Sequence, residues 1–221
     1  VTGVQTCALR IYRHFPNTGT RKSWAAGDAS ARGIKQAFIS EVSEEIYPSA
    51  LSAKTWGFND VIMKKDSLKL QRELGSYVMD NILYKVNFPA EFHAQTAAEA
   101  AIKLHSQIDC DDIASIDIHT QEPGVRIISK QGPLTNYADR DHCIEYIVAW
   151  CLLTGNLDAN SYTDEAASDS RIDMLREITS TLENKEYTRR YYNLDERAIP
   201  NKVIVTLKNR SEEHTSELQS P

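Results

Sequence analysis

Residues 88–120 read FPAEFHAQTAAEAAIKLHSQIDCDDIASIDIHT, and the fold turns on them. Past Pro89, residues 95–108 hold Ala97, Ala98, Ala100 and Ala101, the texture of a strongly helical segment. Residues 113–120 instead alternate, with Ile116 and Ile118 on one side, as a strand does. Downstream, residues 125–129 are apolar and too short to separate strand from helix. Residues 139–153 predict a helix with Ile144, Ile147, Val148, Cys151 and Leu152 on its face and Gly155 just past its end. Residues 168–182 predict another, with Ile172, Leu175, Ile178 and Leu182. Residues 202–208 alternate through Val203, Val205 and Leu207 as a second strand.

Upstream the texture is helical. Pro16, Asn17 and Gly19 make residues 13–21 loop-like. From Ser23 the apolar positions Trp24, Ala31, Ile34 and Phe38 fall near one face, and Ala25, Ala26, Gly27 and Ala29 are small, which predicts a buried helix. Residues 46–57 are irregular around Pro48, with 49–54 as a short helix. Residues 67–81 have weak helical spacing, and 82–86 read as a short strand or connector. The organisation is thus a helical part over residues 12–84 and a mixed α/β part over residues 85–209.

The outermost residues differ from both parts. Residues 2–8 and 213–220 lack hydrophobic period, and both can be back-translated to one DNA element read on opposite strands. Residues 1–11 and 210–221 are therefore expected to be translated sequencing adapter, outside the fold, and the rest an internal fragment of a longer protein.

Composition narrows the function classes. A hydrophobic fraction of 41% excludes a disordered chain, and a net charge of −6 argues against a nucleic-acid partner. The most apolar run, residues 143–153, contains Glu145 and is too short to span a bilayer, so no membrane role is expected. Four Cys without a Cys-x-x-Cys pair supply neither a disulfide framework nor a metal site. Phosphate-loop, dinucleotide and nucleophile-elbow motifs are missing.

Three segments hold candidate chemistry. In Arg21-Lys22-Ser23-Trp24-Ala25-Ala26-Gly27-Asp28, a Lys at the start of a buried helix beside Arg21 could have a lowered pKa and act as base or acid, or stand as a solvated pair before a core helix. In residues 85–95, Lys85, Glu91, His93 and Gln95 gather around Pro89, where His93 could move a proton or simply cap the following helix. In residues 136–146, His142 and Tyr146 are spaced i, i+4, and Arg140 could clamp a carboxylate; the alternative is helix capping by Asp139 or Asp141 with a surface His.

These segments, together with Phe15-Pro16-Asn17-Thr18, Phe88-Pro89-Ala90-Glu91-Phe92-His93-Ala94-Gln95-Thr96-Ala97, Gly132-Pro133-Leu134, Ala138-Asp139-Arg140-Asp141-His142-Cys143 and Arg197-Ala198-Ile199, resemble the dehydratase branch of the MmgE/PrpD family. The resemblance implies the carboxyl-terminal part of a large all-helical domain, followed by a smaller α/β lid domain, with the active site between them. It implies a hydro-lyase that takes water from 2-methylcitrate to give 2-methyl-cis-aconitate in propionate breakdown. No iron–sulfur cluster or other cofactor is implied. A longer, homodimeric enzyme is implied, cytoplasmic in a bacterium and mitochondrial in a fungus, and inactive as this fragment alone. A trianionic tricarboxylate needs local cations, for which Arg21, Lys22, Lys85 and Arg140 are the candidates. Lys22 and Lys85 are assigned to carboxylate binding or proton transfer, and His93 and Tyr146 to acid–base work. Relatives that decarboxylate have a His directly after Phe-Pro-Ala, where Glu91 stands, and His142 is expected to face away from the site. Two other readings are a dehydratase of citrate or a related tricarboxylate, and a non-catalytic helical interaction module.

Overall fold

The structure, a computed structural model, describes residues 18–42, 48–69, 75, 87–209 and 213–218. The described chain mixes helices with one small sheet and divides into two compact units.

The first unit takes in residues 23–42 and 48–69. Helix α1, Ala25–Val42, continues a 3₁₀ turn over Thr20–Trp24. The sequence predicted a buried helix here, but no residue of α1 is buried, and Trp24 and Phe38 are each 63% exposed. Small residues permit close approach and do not by themselves supply a covering element. Residues 48–57 form successive turns that lead to the single-turn helix α2, Phe58–Val61. The expected helical pattern at 67–81 and the short strand at 82–86 lie largely outside the described residues.

The second unit takes in residues 18–22, 87–209 and 213–218. Its strands are β1, Ile113–Thr120, β2, Thr179–Glu183, β3, Asn201–Leu207, and β4, Glu213–Leu218, in the sheet order β2-β1-β3-β4. Strand β1, Ile113–Thr120, alternates as expected, burying Ile116 and Ile118. Strand β3, Asn201–Leu207, runs antiparallel to it and buries Val203 and Val205 beside them. Helix α3, Gln95–His105, turns its alanines inward: Ala97, Ala98, Ala100 and Ala101 are all fully buried. Without side-chain bulk there, the core can close on β3 and on helix α6, Ile144–Thr154. Gly155 ends α6 at φ +67°, and a Cβ there would lie 2.5 Å from the His105 ring, so conformation and space both require glycine.

Four local differences from the sequence pattern have physical causes. Residues 122–128 form helix α4, with Pro123 in its first turn, which resolves the short apolar run as helix. The single helix expected at 139–153 is two: α5, Tyr137–Arg140, and α6, separated by a break in which Cys143 is extended at φ −126° and ψ 109°. The helix expected at 168–182 stops early. Helix α7, Ser170–Glu177, gives way to strand β2, Thr179–Glu183, which runs parallel to β1, and the Ile116 N–H donates to the Ile178 carbonyl at 3.1 Å. The open edge of β1 outweighs the helical spacing of Ile178 and Leu182, and Thr179 and Thr181 favour extended backbone. Finally, Glu213–Leu218, expected to stand outside the fold, forms strand β4 antiparallel to β3. Backbone pairing along a sheet edge needs no hydrophobic alternation, so a polar sequence can fill it. Helix α8, Lys185–Tyr192, lies between β2 and β3 in the chain.

Candidate active site

The chemistry-bearing side chains of the second unit gather where three segments meet. The first is the turn from Thr18 to Lys22, closed by the Lys22 N–H donating to the Gly19 carbonyl at 3.0 Å. The second is the turn before α3. There the Glu91 carboxylate caps the backbone by accepting the His93 N–H at 2.7 Å. The Gln95 amide ties down the Phe-Pro-Ala run by donating to the carbonyls of Phe88 and Ala90 at 3.0 and 2.9 Å. The Asn201 amide of β3 donates to the His93 carbonyl at 2.8 Å, which pins this turn to the sheet. The third segment is the break between α5 and α6, which carries Asp141 and His142. The Glu91 N–H donates to the Asp141 carbonyl at 3.1 Å and so joins the second segment to the third.

Each of the last two segments builds a carboxylate–histidine pair. In one, His93 Nδ1 lies 2.9 Å from a Glu91 oxygen, its Nε2 lies 3.3 Å from the Tyr191 hydroxyl, and the two rings sit 5.6 Å apart. Burial pushes the Glu91 carboxyl up, but the hydrogen bonds and charge of His93, with a further contribution from His142, outweigh it and hold the pKa down at about 2. Glu91 is therefore a fixed anion across the physiological range. In the other pair, His142 Nδ1 meets Asp141 and Nε2 meets the Lys22 ammonium in close contacts. A carboxylate on Nδ1 selects the tautomer with its proton there, leaving Nε2 to accept from Lys22. His142 and His93 are both buried, whereas Lys22 is partly exposed.

The candidates from the sequence separate accordingly. Lys22 and His93 belong to these clusters. Arg21 is exposed on the turn. Lys85 lies outside the described residues. Arg140 and Tyr146, expected to act on substrate, hold partners within the second unit. The Arg140 guanidinium donates to the Tyr162 carbonyl at 2.8 Å and pairs with Asp164 at 2.7 Å. The Tyr146 hydroxyl donates to the Ser161 carbonyl at 2.8 Å, and burial pushes its phenol up to about 12. The break at Asp141–Cys143 takes His142 off the helix that carries Tyr146. His142, expected to face away, instead meets Lys22. Sequence reasoning missed Asp141 and Glu91 as partners of the histidines, although both stand within two residues of them; it also missed Tyr191, 98 positions from His93. Among the described residues, no three His, Cys, Asp or Glu side chains are arranged to hold a metal ion, and no helix is long and apolar enough to cross a membrane.

Residues 88–221 match the MmgE/PrpD C-terminal domain, and residues 1–71 match the MmgE/PrpD N-terminal domain. The chain is 54% identical over 207 residues to the mitochondrial 2-methylcitrate dehydratase of Yarrowia lipolytica, covering 91% of this chain and 40% of that protein. It is 52% identical over 209 residues to 2-methylcitrate dehydratase of Salmonella typhimurium, covering 92% and 43%. To the enzyme of the same name from Cupriavidus necator it is 52% identical over 205 residues, covering 90% and 42%. The chain thus spans about two fifths of the length of these curated relatives.

Proposed function

Since the chain belongs to the MmgE/PrpD family, we propose that it supplies part of the active site of a hydro-lyase that dehydrates 2-methylcitrate to 2-methyl-cis-aconitate. The observation that carries this reading is the Lys22–His142–Asp141 chain joined through one backbone hydrogen bond to the Glu91–His93 pair. Dehydration breaks a C–H bond α to a carboxylate and a C–O bond on the adjacent carbon. The C–H electron pair becomes the new double bond, and the hydroxyl leaves as water with one added proton. The reaction needs cations for the carboxylates, one base and one acid.

In this reading the Lys22 ammonium leaves His142 Nε2 for a substrate carboxylate, and the freed Nε2 takes the carbon-bound proton. Asp141 holds His142 in the competent tautomer and stabilises the imidazolium that forms. His93 enters this step as an imidazolium held at Nδ1 by the Glu91 anion; its Nε2 gives its proton to the departing hydroxyl, which leaves as water, and the ring is left neutral. Lys85 is a second carboxylate-binding cation. Arg140 and Tyr146 brace the Ser161–Asp164 wall instead of touching substrate. The longer enzyme works as a homodimer, in the cytoplasm of a bacterium or the mitochondrion of a fungus.

The test joins residues 18–209 of this chain to the flanking segments of the Salmonella typhimurium relative. Turnover of 2-methylcitrate by the joined enzyme, with none by the 221-residue chain alone, is the expected result. A joined enzyme that folds and binds no tricarboxylate would refute the reading. Comparing kcat/KM for citrate and 2-methylcitrate measures substrate choice, since one methyl group is worth only about 1–3 kcal/mol in a pocket.

A further inference from the structure

Beneath the turn that carries Lys22 lies a second cation that the chemistry above does not use. Lys130 is 3% exposed and Asp139 is fully buried. Lys130 Nζ donates to Asp139 Oδ1 at 2.7 Å and to the Thr18 hydroxyl at 2.7 Å, and the Thr18 N–H donates to the same Asp139 oxygen at 2.9 Å. The three residues form a closed triangle across a sequence separation of more than 100 positions. A buried ion pair is a weak source of stability, because removing both charges from water costs several kcal/mol per ion. What it offers in return is a fixed geometry.

The backbone behind Lys130 is fixed as well. Glu145, itself fully buried, accepts the Lys130 N–H at 3.1 Å, the Ser129 hydroxyl at 2.6 Å and the Thr181 hydroxyl at 2.6 Å. The Arg176 guanidinium donates to the Gly132 carbonyl at 2.7 Å. Lys130 Nζ therefore projects from a segment tied to both α6 and β2. On the far side of the triangle, Lys22 follows Thr18 by four residues, and His142 follows Asp139 by three residues. The triangle thus binds together the two backbone segments whose side chains meet as Lys22 and His142.

We propose that Lys130 and Asp139 are positioning residues: by clasping Thr18, they set the Lys22 ammonium on His142 Nε2. The effect on turnover rests on the dehydratase reading, whereas the effect on the Lys22–His142 contact does not. The closing experiment reads that contact directly.

The His142 ring nitrogens are followed by 15N NMR at fixed pH in the 221-residue chain. The charged groups that bear on it are Lys22, Asp141 and Glu91. Thr18→Val removes the hydroxyl acceptor and keeps the volume. It is expected to loosen Lys22 and shift the His142 Nε2 resonance, since the Lys22 ammonium donates to that nitrogen. Lys130→Met is expected to do the same, and Lys130→Arg to restore most of the original resonance position. In a Lys22→Ala background, Thr18→Val is expected to produce no further shift. Should Lys130→Met fail to fold, Thr18→Val and its double variant still decide. An unmoved His142 Nε2 resonance in Thr18→Val would overturn the proposal, as would an equal shift with Lys22 absent. In the joined enzyme, Thr18→Val is expected to lower kcat about tenfold with KM changed less. Absence of turnover in every form would count against the dehydratase reading and leave the NMR result to judge the clasp.

Discussion

The two carboxylate–histidine pairs share one half of their design and differ in the other. Glu91 and Asp141 each hold a histidine through Nδ1, so both rings offer Nε2. His93 Nε2 faces the Tyr191 hydroxyl, whereas His142 Nε2 faces the Lys22 ammonium. The carboxylate therefore sets tautomer and orientation, and the group on Nε2 sets the task. A ring beside a cation is held ready to accept a proton once that cation moves to an anionic substrate. In the proposed reading, the ring that faces the neutral Tyr191 phenol is the one that gives up a proton.

This comparison can be broken at either pair. The largest effect is expected from His142→Gln in the joined enzyme, a loss of about 100-fold or more in kcat/KM for 2-methylcitrate, the scale of one acid–base group. An equal loss from removing Asp141 alone would show the pair acting as a unit. Glu91→Gln tests the other pair through stability. The Glu91 carboxyl is held at about 2 in the folded chain, below its ordinary value of 4.5. Its contribution is therefore complete above about pH 4.5 and is lost as pH falls toward about 2. A shift of this size corresponds to roughly 3 kcal/mol. Glu91→Gln is expected to flatten that part of the acid-unfolding curve, and an unchanged slope between pH 4.5 and 2 would contradict the assignment. The smallest effect is expected from Tyr191→Phe, a loss of less than about fivefold in turnover, because a neutral contact at 3.3 Å adds only a modest net hydrogen bond.

Much of this arrangement was legible in the sequence where a local pattern carries it. The alternation in β1, the alanine face of α3 and the glycine after α6 all follow from period and conformational preference. Lys22 and His93 were found as candidates through their motifs. Other features were illegible for physical reasons. The break at Asp141–Cys143 falls at the start of the apolar run of residues 143–153, within a stretch whose spacing reads as one helix, and it decides whether His142 shares a face with Tyr146. Strand β2 forms because the edge of β1 is open to it, a tertiary effect that overrides helical spacing. The Lys130–Thr18 contact joins residues 112 positions apart, and no window of sequence contains both. The partners of Arg140, the Tyr162 carbonyl and Asp164, stand 22 and 24 positions away, beyond any helical spacing.

The central claim is that Lys22 and His142 work together on a tricarboxylate. It is tested most directly by kcat/KM for 2-methylcitrate in the joined enzyme carrying Lys22→Ala. A loss of at least about 100-fold is the predicted result, whereas a loss below about tenfold would reduce Lys22 to a structural neighbour of His142.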